Sequence, residues 1–413
     1  MNRFSYLACA AVLMAVSGWA GDAPARDLFT VDVTTGGTTE TFGSNSVEGV
    51  IDFVENGNYE RINALYSDTA IATAAIDLRG VVATISYPTS GSDLVLVIPA
   101  LGERRVFQGT TRADSETQLI DFLESNQDDL LSRILQELVR TSPVDPVAGN
   151  PNSLMSKMVS ADFANGSSVG PDTAFKADPG NPDTGPALIG LPARLGRYTA
   201  GGFETDVLDL PLSYTFPIYR PGYAMTVDLP LTYVDTQGAK AFAASLGAGL
   251  RVPLADGWSL TPALRVGATG SVDAGAAALL YSGSITSNFE RAVDDLTFTL
   301  GNSIAVIRSA ALSAGDYTAD YDLTNVVFRN GIGLAGPTGF QAWNKAVTWE
   351  AAIVNTQYTG SDLFVENATD VSVSFGTVAE RDGMLWDSVR IGVTYTFTDA
   401  DYSGVRLNFG YRF

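Results

Sequence analysis

The chain closes on VRLNFGYRF, where Val405, Leu407, Phe409, Tyr411 and Phe413 alternate with Arg406, Asn408, Gly410 and Arg412. Successive side chains of a strand point to opposite faces, so this segment carries one apolar face and one polar or small face. The same alternation runs through DLPLSYTF, TVDLPLTYV, SLGAGLRVPL, WSLTPALRVGA and SVRIGVTYTF; with less regular stretches at 276–287, 296–309, 323–335, 346–357 and 370–378 this makes eleven runs. A soluble sandwich turns such faces toward a second sheet, whereas a membrane barrel turns them toward lipid. Periodicity alone does not separate the two. The small and charged partners on the other face, the lack of covering helices and an exported start favour the barrel. Tyr214, Phe216, Tyr233, Trp258, Tyr395 and Phe397 lie near strand ends, as interfacial girdles require.

The start supports export. Arg3 precedes an apolar run from Phe4 to Val16, and Gly18 with Ala20, or Ala23 with Ala25, is spaced for cleavage. Residues 1–20 are therefore expected to be a cleaved signal peptide, too short in its apolar run to span a bilayer. The only cysteine, Cys9, lies inside it, and the chain has no histidine. Disulfides, cysteine zinc clusters and histidine-based triads are excluded from the mature protein. The net charge of −21 becomes −22 without Arg3, which argues against nucleic acid as a partner.

Antiparallel bacterial barrels use even strand numbers. LIGLPARLGRYTA at 188–200 supplies a further strand and an expected total of twelve over 188–413. With Phe413 at the periplasmic end, the short turns IYRPG, ADG and RAVDD fall on that side. The longer links 310–324 and 358–369 fall outside. Pro211, Pro230, Pro253 and Pro262 sit in strands, where each removes a ladder donor. They mark either bulges and strand ends near a rim or a weakened seam.

Residues 27–140 read as a small α/β domain. LFTVDV is a strand, and SVEGVIDFVENGNYERINALYS has helical spacing. IDLRGVVATISYP and DLVLVIPALGERRVF are strands joined by TSGSD. SETQLIDFLESNQDDLLSRILQELVR is helical, with a Ser115–Gln118 capping box, a break at Asn126 and an apolar face from Leu130 to Val139. Residues 141–187 hold a short amphipathic segment, 152–163, and a Gly/Pro-rich linker.

Two motifs lack their context. GSSVG around Ser168 matches a nucleophile elbow but lies in the linker, with no histidine to serve as base. GIGLAG at 331–336 matches a dinucleotide fingerprint, yet it falls in a strand region, where small residues pack a barrel wall. No catalytic, cofactor or metal residues are assigned. The acidic stretches 381–383 and 399–404 read as solvated surface. Arg251, Arg265, Arg390, Arg406, Asp209, Asp228 and Glu350 fall on the polar face and are the candidate lumen charges, lining a solute path or holding a plug.

The barrel, with PLADGWSLTPALRVGA at 253–268 and the terminal YRF, resembles the autotransporter translocator family. The resemblance implies a twelve-stranded barrel with a helix in the pore. It also implies an assembly signal in Phe409, Tyr411 and Phe413, read by the barrel-assembly machinery. The chain departs from the family in its short N-terminal region and in the roughly 45 residues between helix 115–140 and the barrel. The expected function is a non-enzymatic outer-membrane barrel in contact with outer-membrane lipid, with a helix in its lumen. The alternative is a porin-like channel for small solutes with a periplasmic N-terminal domain.

Overall fold

The computed structural model describes residues 26–55, 63–125, 127–170, 188–218, 222–314, 317–377 and 388–412. The expected signal peptide, stretch 381–383 and Phe413 lie outside them.

Twelve antiparallel strands close into one barrel. In chain order they are β7 (Leu188–Ala200), β8 (Phe203–Pro217), β9 (Ala224–Thr236), β10 (Ala239–Ala255), β11 (Trp258–Ser271), β12 (Ala276–Val293), β13 (Leu296–Ala310), β16 (Thr324–Ala342), β17 (Lys345–Gly360), β18 (Asn367–Thr377), β19 (Ser388–Thr398) and β20 (Tyr402–Arg412). A short hairpin, β14 (Leu312–Ala314) and β15 (Tyr317–Ala319), lies in the link after β13. Closure is β20 on β7, with Tyr402 opposite Ala200 and Arg412 opposite Gly190. All eleven alternating runs and the segment 188–200 are barrel strands.

The burial pattern inverts that of a water-soluble protein. On β11, Ser259, Thr261, Arg265 and Thr269 are buried inward, while Leu264 is 73% exposed outward. Leu195, Leu246, Ile285, Ile304, Ile332, Ile353 and Ile391 are exposed around the remaining wall. Continuous apolar exposure of this extent has no place in water, so the structure reads as a barrel facing hydrocarbon.

Two rims follow from the strand directions. One, the terminal rim, holds the start of β7, the end of β20, the links 256–257, 294–295 and 343–344, and the ends where β8 stops and β9 starts and where β18 stops and β19 starts. The opposite rim carries the links 311–323 and 361–366. The sequence places the turns IYRPG, ADG and RAVDD together, and the two longer links together, in the same way.

The N-terminal region sits on that opposite rim. It is a six-stranded antiparallel sheet in the order β2-β1-β3-β4-β5-β6. The strands are β1 (Phe29–Thr35), β2 (Thr38–Ser44), β3 (Ala72–Leu78), β4 (Val81–Tyr87), β5 (Asp93–Ile98) and β6 (Glu103–Gln108). The helices are α1 (Val47–Glu55), α2 (Arg112–Ser125) and α3 (Gln127–Thr141). Here the sequence reading needs correction. IDLRGVVATISYP and DLVLVIPALGERRVF are each a hairpin, not one strand. The first turns at Arg79 and Gly80, both at positive φ; the second turns through a 3-10 segment, Pro99–Leu101. TTETFGS, too polar to show a buried face, is edge strand β2. Residues 63–67 are not helical.

The helix α2 also starts earlier than its spacing suggests. Its capping box is Thr111 with Asp114: the Asp114 N–H donates to Thr111 Oγ1 (3.1 Å), and the Thr111 N–H to Asp114 Oδ2 (2.9 Å). Ser115 instead bridges two loops, accepting from the Gly109 N–H (2.8 Å) and donating to the Ser92 carbonyl (2.6 Å). Gln118 accepts from the Gln108 N–H (3.1 Å). Hydrogen bonds from Thr110 and Thr111 hold the Asp114 carboxyl below its usual range.

Sheet, helices and barrel share one core. A single buried cluster runs from Val81, Leu94 and Phe107 through Leu135 and Val139 to Met155 and Met158, and on to Leu280 and Ile307 of the wall. Backbone bonds close the seam: Val47 N–H to the Asp273 carbonyl (2.8 Å), Phe364 N–H to Val139 (3.0 Å) and Val365 N–H to Gly149 (3.1 Å). Arg79 pairs with fully buried Asp145 at 3.1 Å. Burial pushes the Asp145 carboxyl up; Arg79 and the Val147 and Ala148 N–H groups pull it back.

Candidate functional site: the threaded lumen

Helix α4 (Leu154–Gly166) lies inside the barrel. Its start is fixed by local chemistry. Ser153, in an extended conformation, caps the helix, and the Leu154 and Met155 N–H groups donate to the carbonyls of Pro146 and Val147. Two wall tyrosines receive this end. Asn152 Nδ2 donates to the Tyr402 hydroxyl (2.6 Å), and the Ser156 and Tyr358 hydroxyls lie 2.9 Å apart.

Farther along, charges on the helix meet opposite charges on the wall. Lys157 Nζ is 2.8 Å from Asp209 Oδ2. Asp162 Oδ1 is 2.8 Å from Arg265 Nε, and the other face of that guanidinium is 2.7 Å from Asp228 Oδ2. Ser284 donates to Asp162 (2.9 Å), Arg265 donates to Ser245 (3.0 Å) and Asn165 donates to Asp228. Arg265 is 3% exposed. A buried pair is costly to desolvate, and removing one partner of such a network destabilises strongly. The network thus gives one seating of the helix a large advantage over others.

The apolar side of the helix fits where the wall has no side chain. A Cβ on Gly267 would lie 2.9 Å from Leu154 Cδ1 and Met158 Sδ; one on Gly301, 2.9 Å from Phe163 Cζ; one on Gly331, 2.9 Å from Val169 Cγ1. Gly331 opens the GIGLAG stretch, and it and Gly333 face the threaded segment, whereas Gly336 packs against Leu296 and Trp349 of the wall. Arg329 lies over the Phe163 ring at 5.4 Å and pairs with Asp370 at 2.9 Å.

After the helix the chain continues toward the terminal rim. Ser168 N–H donates to Asn288 Oδ1 (2.8 Å), and Gly170 N–H to Glu350 Oε1 (3.0 Å). Glu350 also pairs with Arg390 at 3.4 Å. The strand β7 then begins at that same rim. Residues 154–170 thus run along the lumen, from the domain side toward the side where β20 ends.

Of the candidate lumen charges, Asp209, Asp228, Arg265 and Glu350 touch the helix or the residues just after it. Arg390 meets the helix exit through Glu350. Arg251 and Arg406 occupy inward positions of β10 and β20. Phe409 points outward on β20, and Tyr411 pairs in register with Val389 and Leu191. Sequence reasoning missed Lys157, Asp162, Tyr358 and Tyr402. Lys157 and Asp162 had a signal: two opposite charges within an otherwise apolar or small helix beside a Gly/Pro linker. The helix nearest a plugging role in the sequence, 115–140, belongs to the domain on the rim.

A small cavity of about 50 Å³ remains between the Ser160–Ala164 side of α4 and the β7–β9 wall. Three prolines line it: Pro192, Pro211 and Pro230. Pro211 faces Pro230 in register. On the side facing β8 the ladder skips 191–193 of β7, and on the side facing β10 it skips 229–230 of β9, although the register is unchanged on either side of each gap. Pro211 and Pro230 are therefore mid-strand, with no slip in register. Pro253 does sit at a bulge near the terminal rim.

No family model matches the chain, and no curated protein matches it. Several solved barrels are similar to it. The beta domain of the Bordetella autotransporter BrkA is 14% identical over 55% of this chain and 99% of that one, with a TM-score of 0.44. The translocator domain of autotransporter NalP from Neisseria meningitidis is 14% identical over 57% and 91%, at 0.39. An outer membrane channel from Pseudomonas putida F1 is 10% identical over 57% and 98%, at 0.40.

Proposed function

We propose that this chain is a non-enzymatic outer-membrane barrel of autotransporter type, which displays its own N-terminal domain on the cell surface. The observation that carries this reading is the path of the chain. The domain lies on one rim, α4 threads the lumen, and β7 and β20 meet at the other rim. With the strand termini on the periplasmic side, residues 27–141 are outside. The lumen is held shut by α4 through Asp209, Asp228 and Arg265, so these charges hold a plug and do not line a solute path. Phe409, Tyr411 and Phe413 serve as the signal for the barrel-assembly machinery. The absence of any histidine supports a non-catalytic role.

Protease treatment of intact cells tests the sidedness. Digestion of the 27–141 region while the barrel stays whole is expected. Full protection until the outer membrane is opened would place the domain in the periplasm and favour the porin-like channel. Planar-bilayer recording tests the plug: the intact protein is expected to conduct far less than one lacking residues 27–170.

A further inference from the structure

The outer wall carries a trough that the display reading does not use. Its volume is about 400 Å³. Leu208 and Leu210 of β8 form one side, with Tyr233 of β9 and Phe242 of β10 above. Ala268 and Gly270 of β11 form the floor on the far side. These residues alternate outward, on the face of the apolar belt. The dip is built from side-chain size: a Cβ on Gly270 would meet nothing within 4 Å. The Tyr233 and Phe242 rings stand 5.2 Å apart at a tilt and fence its end nearer the domain rim. The Tyr233 hydroxyl donates to Asp235 (3.2 Å), which sets that end at a polar level. The other end meets the stretch of β9 and β10 where ladder pairing lapses at Pro230.

We propose that this trough holds one acyl chain of a bilayer lipid. The inference rests on the reading of the outer wall as lipid-facing. Within a bilayer an apolar dip is filled by hydrocarbon or by protein. A second copy of this barrel presents a convex wall and cannot reach a floor of alanine and glycine between flanking leucines and aromatics. A single chain can. The apolar belt continues on both sides, through Leu195 in one direction and Leu264 and Ile285 in the other, so the trough opens into the same medium as the rest of the wall. A chain seated there is immobilised against seven outward side chains, Leu231 and Ala244 among them, where bulk lipid touches a convex wall on one side.

Native mass spectrometry of the full chain, released from detergent, tests this. One phospholipid is expected to stay bound under activation that strips the remaining lipid. Gly270→Leu and Ala268→Leu each fill part of the trough, and each is expected to lower the retained fraction roughly tenfold. Heat-modifiable mobility on gels verifies that both variants close their barrels. A lipid retained equally by both variants, or none retained by the native chain, overturns the proposal. So does a two-chain mass lost in the same variants, which would make a second copy the occupant. Oxygen accessibility of a spin label at Leu264→Cys, outside the trough, separates the two levels of claim. If that label reports hydrocarbon and no lipid is retained, the trough alone fails; if it reports water, the membrane reading itself has failed.

Discussion

Arg265 shows how a single residue ties the lumen helix to the barrel wall. It bonds Asp162 of the helix and Asp228 of the wall from a fully buried site. Arg265→Ala leaves two buried carboxylates without their cation, and a loss of about 3–5 kcal/mol is expected. Denaturant unfolding in detergent measures it. Replacing the whole group, Arg265→Met with Asp162→Asn and Asp228→Asn, is expected to restore most of that loss, because the desolvation cost leaves with the charges. Gly267 acts by absence. Gly267→Val drives a methyl into Leu154 and Met158, at a cost of about 1–3 kcal/mol for overpacking. The expected readout is raised conductance as the helix loses its seat; conductance unchanged from the native chain would contradict the seating. Arg79 is a third case. A non-glycine residue at positive φ is strained, and its buried pairing with Asp145 offsets that strain. This is why an arginine stands where a hairpin turn usually carries Asn or Gly.

At the scale of elements, legibility followed the severity of the solvent. Six barrel strands announced themselves, because hydrocarbon on one face and polar groups on the other favour a period of two; five were less regular, and β7 was found from the need for an even strand count. The rim domain was less legible. Its β2 has little buried face to write a pattern, and the Arg79–Gly80 turn lacks the usual Asn-Gly sign. The threading helix was harder still, since a short helix inside a polar lumen needs only complementary charges and a few missing side chains opposite. Two tests belong here. Asp114 caps α2 with its pKa held down, so its contribution is complete above the unfolded-state value of about 3.9 and is lost as pH falls through the lower folded value. First-turn amides of α2 are expected to exchange faster in acid relative to the rest of the helix, and Asp114→Asn to flatten that dependence. The proline row predicts a wall short of donors. Pro230→Val adds an N–H, and a gain of about 0.5–1.5 kcal/mol is expected if the new bond forms. Amide exchange across 229–246 reads it, and an unchanged exchange pattern would mean the lapse is not due to the proline.

For the molecule as a whole, domain, plug and barrel are one cooperative body. Their shared core and the bonds at Val139, Gly149 and Asp273 make the rim domain an extension of the barrel mouth. All of this depends on hydrocarbon surrounding the wall. The most direct measurement is electron paramagnetic resonance of nitroxides placed one at a time at Leu264→Cys, Ile285→Cys, Ile353→Cys and Ile391→Cys, with Cys9→Ser, in lipid vesicles. High collision rates with oxygen and low rates with a water-soluble nickel chelate are predicted at all four positions. High nickel rates, or low rates with both reagents as a covering protein layer would give, would contradict the account.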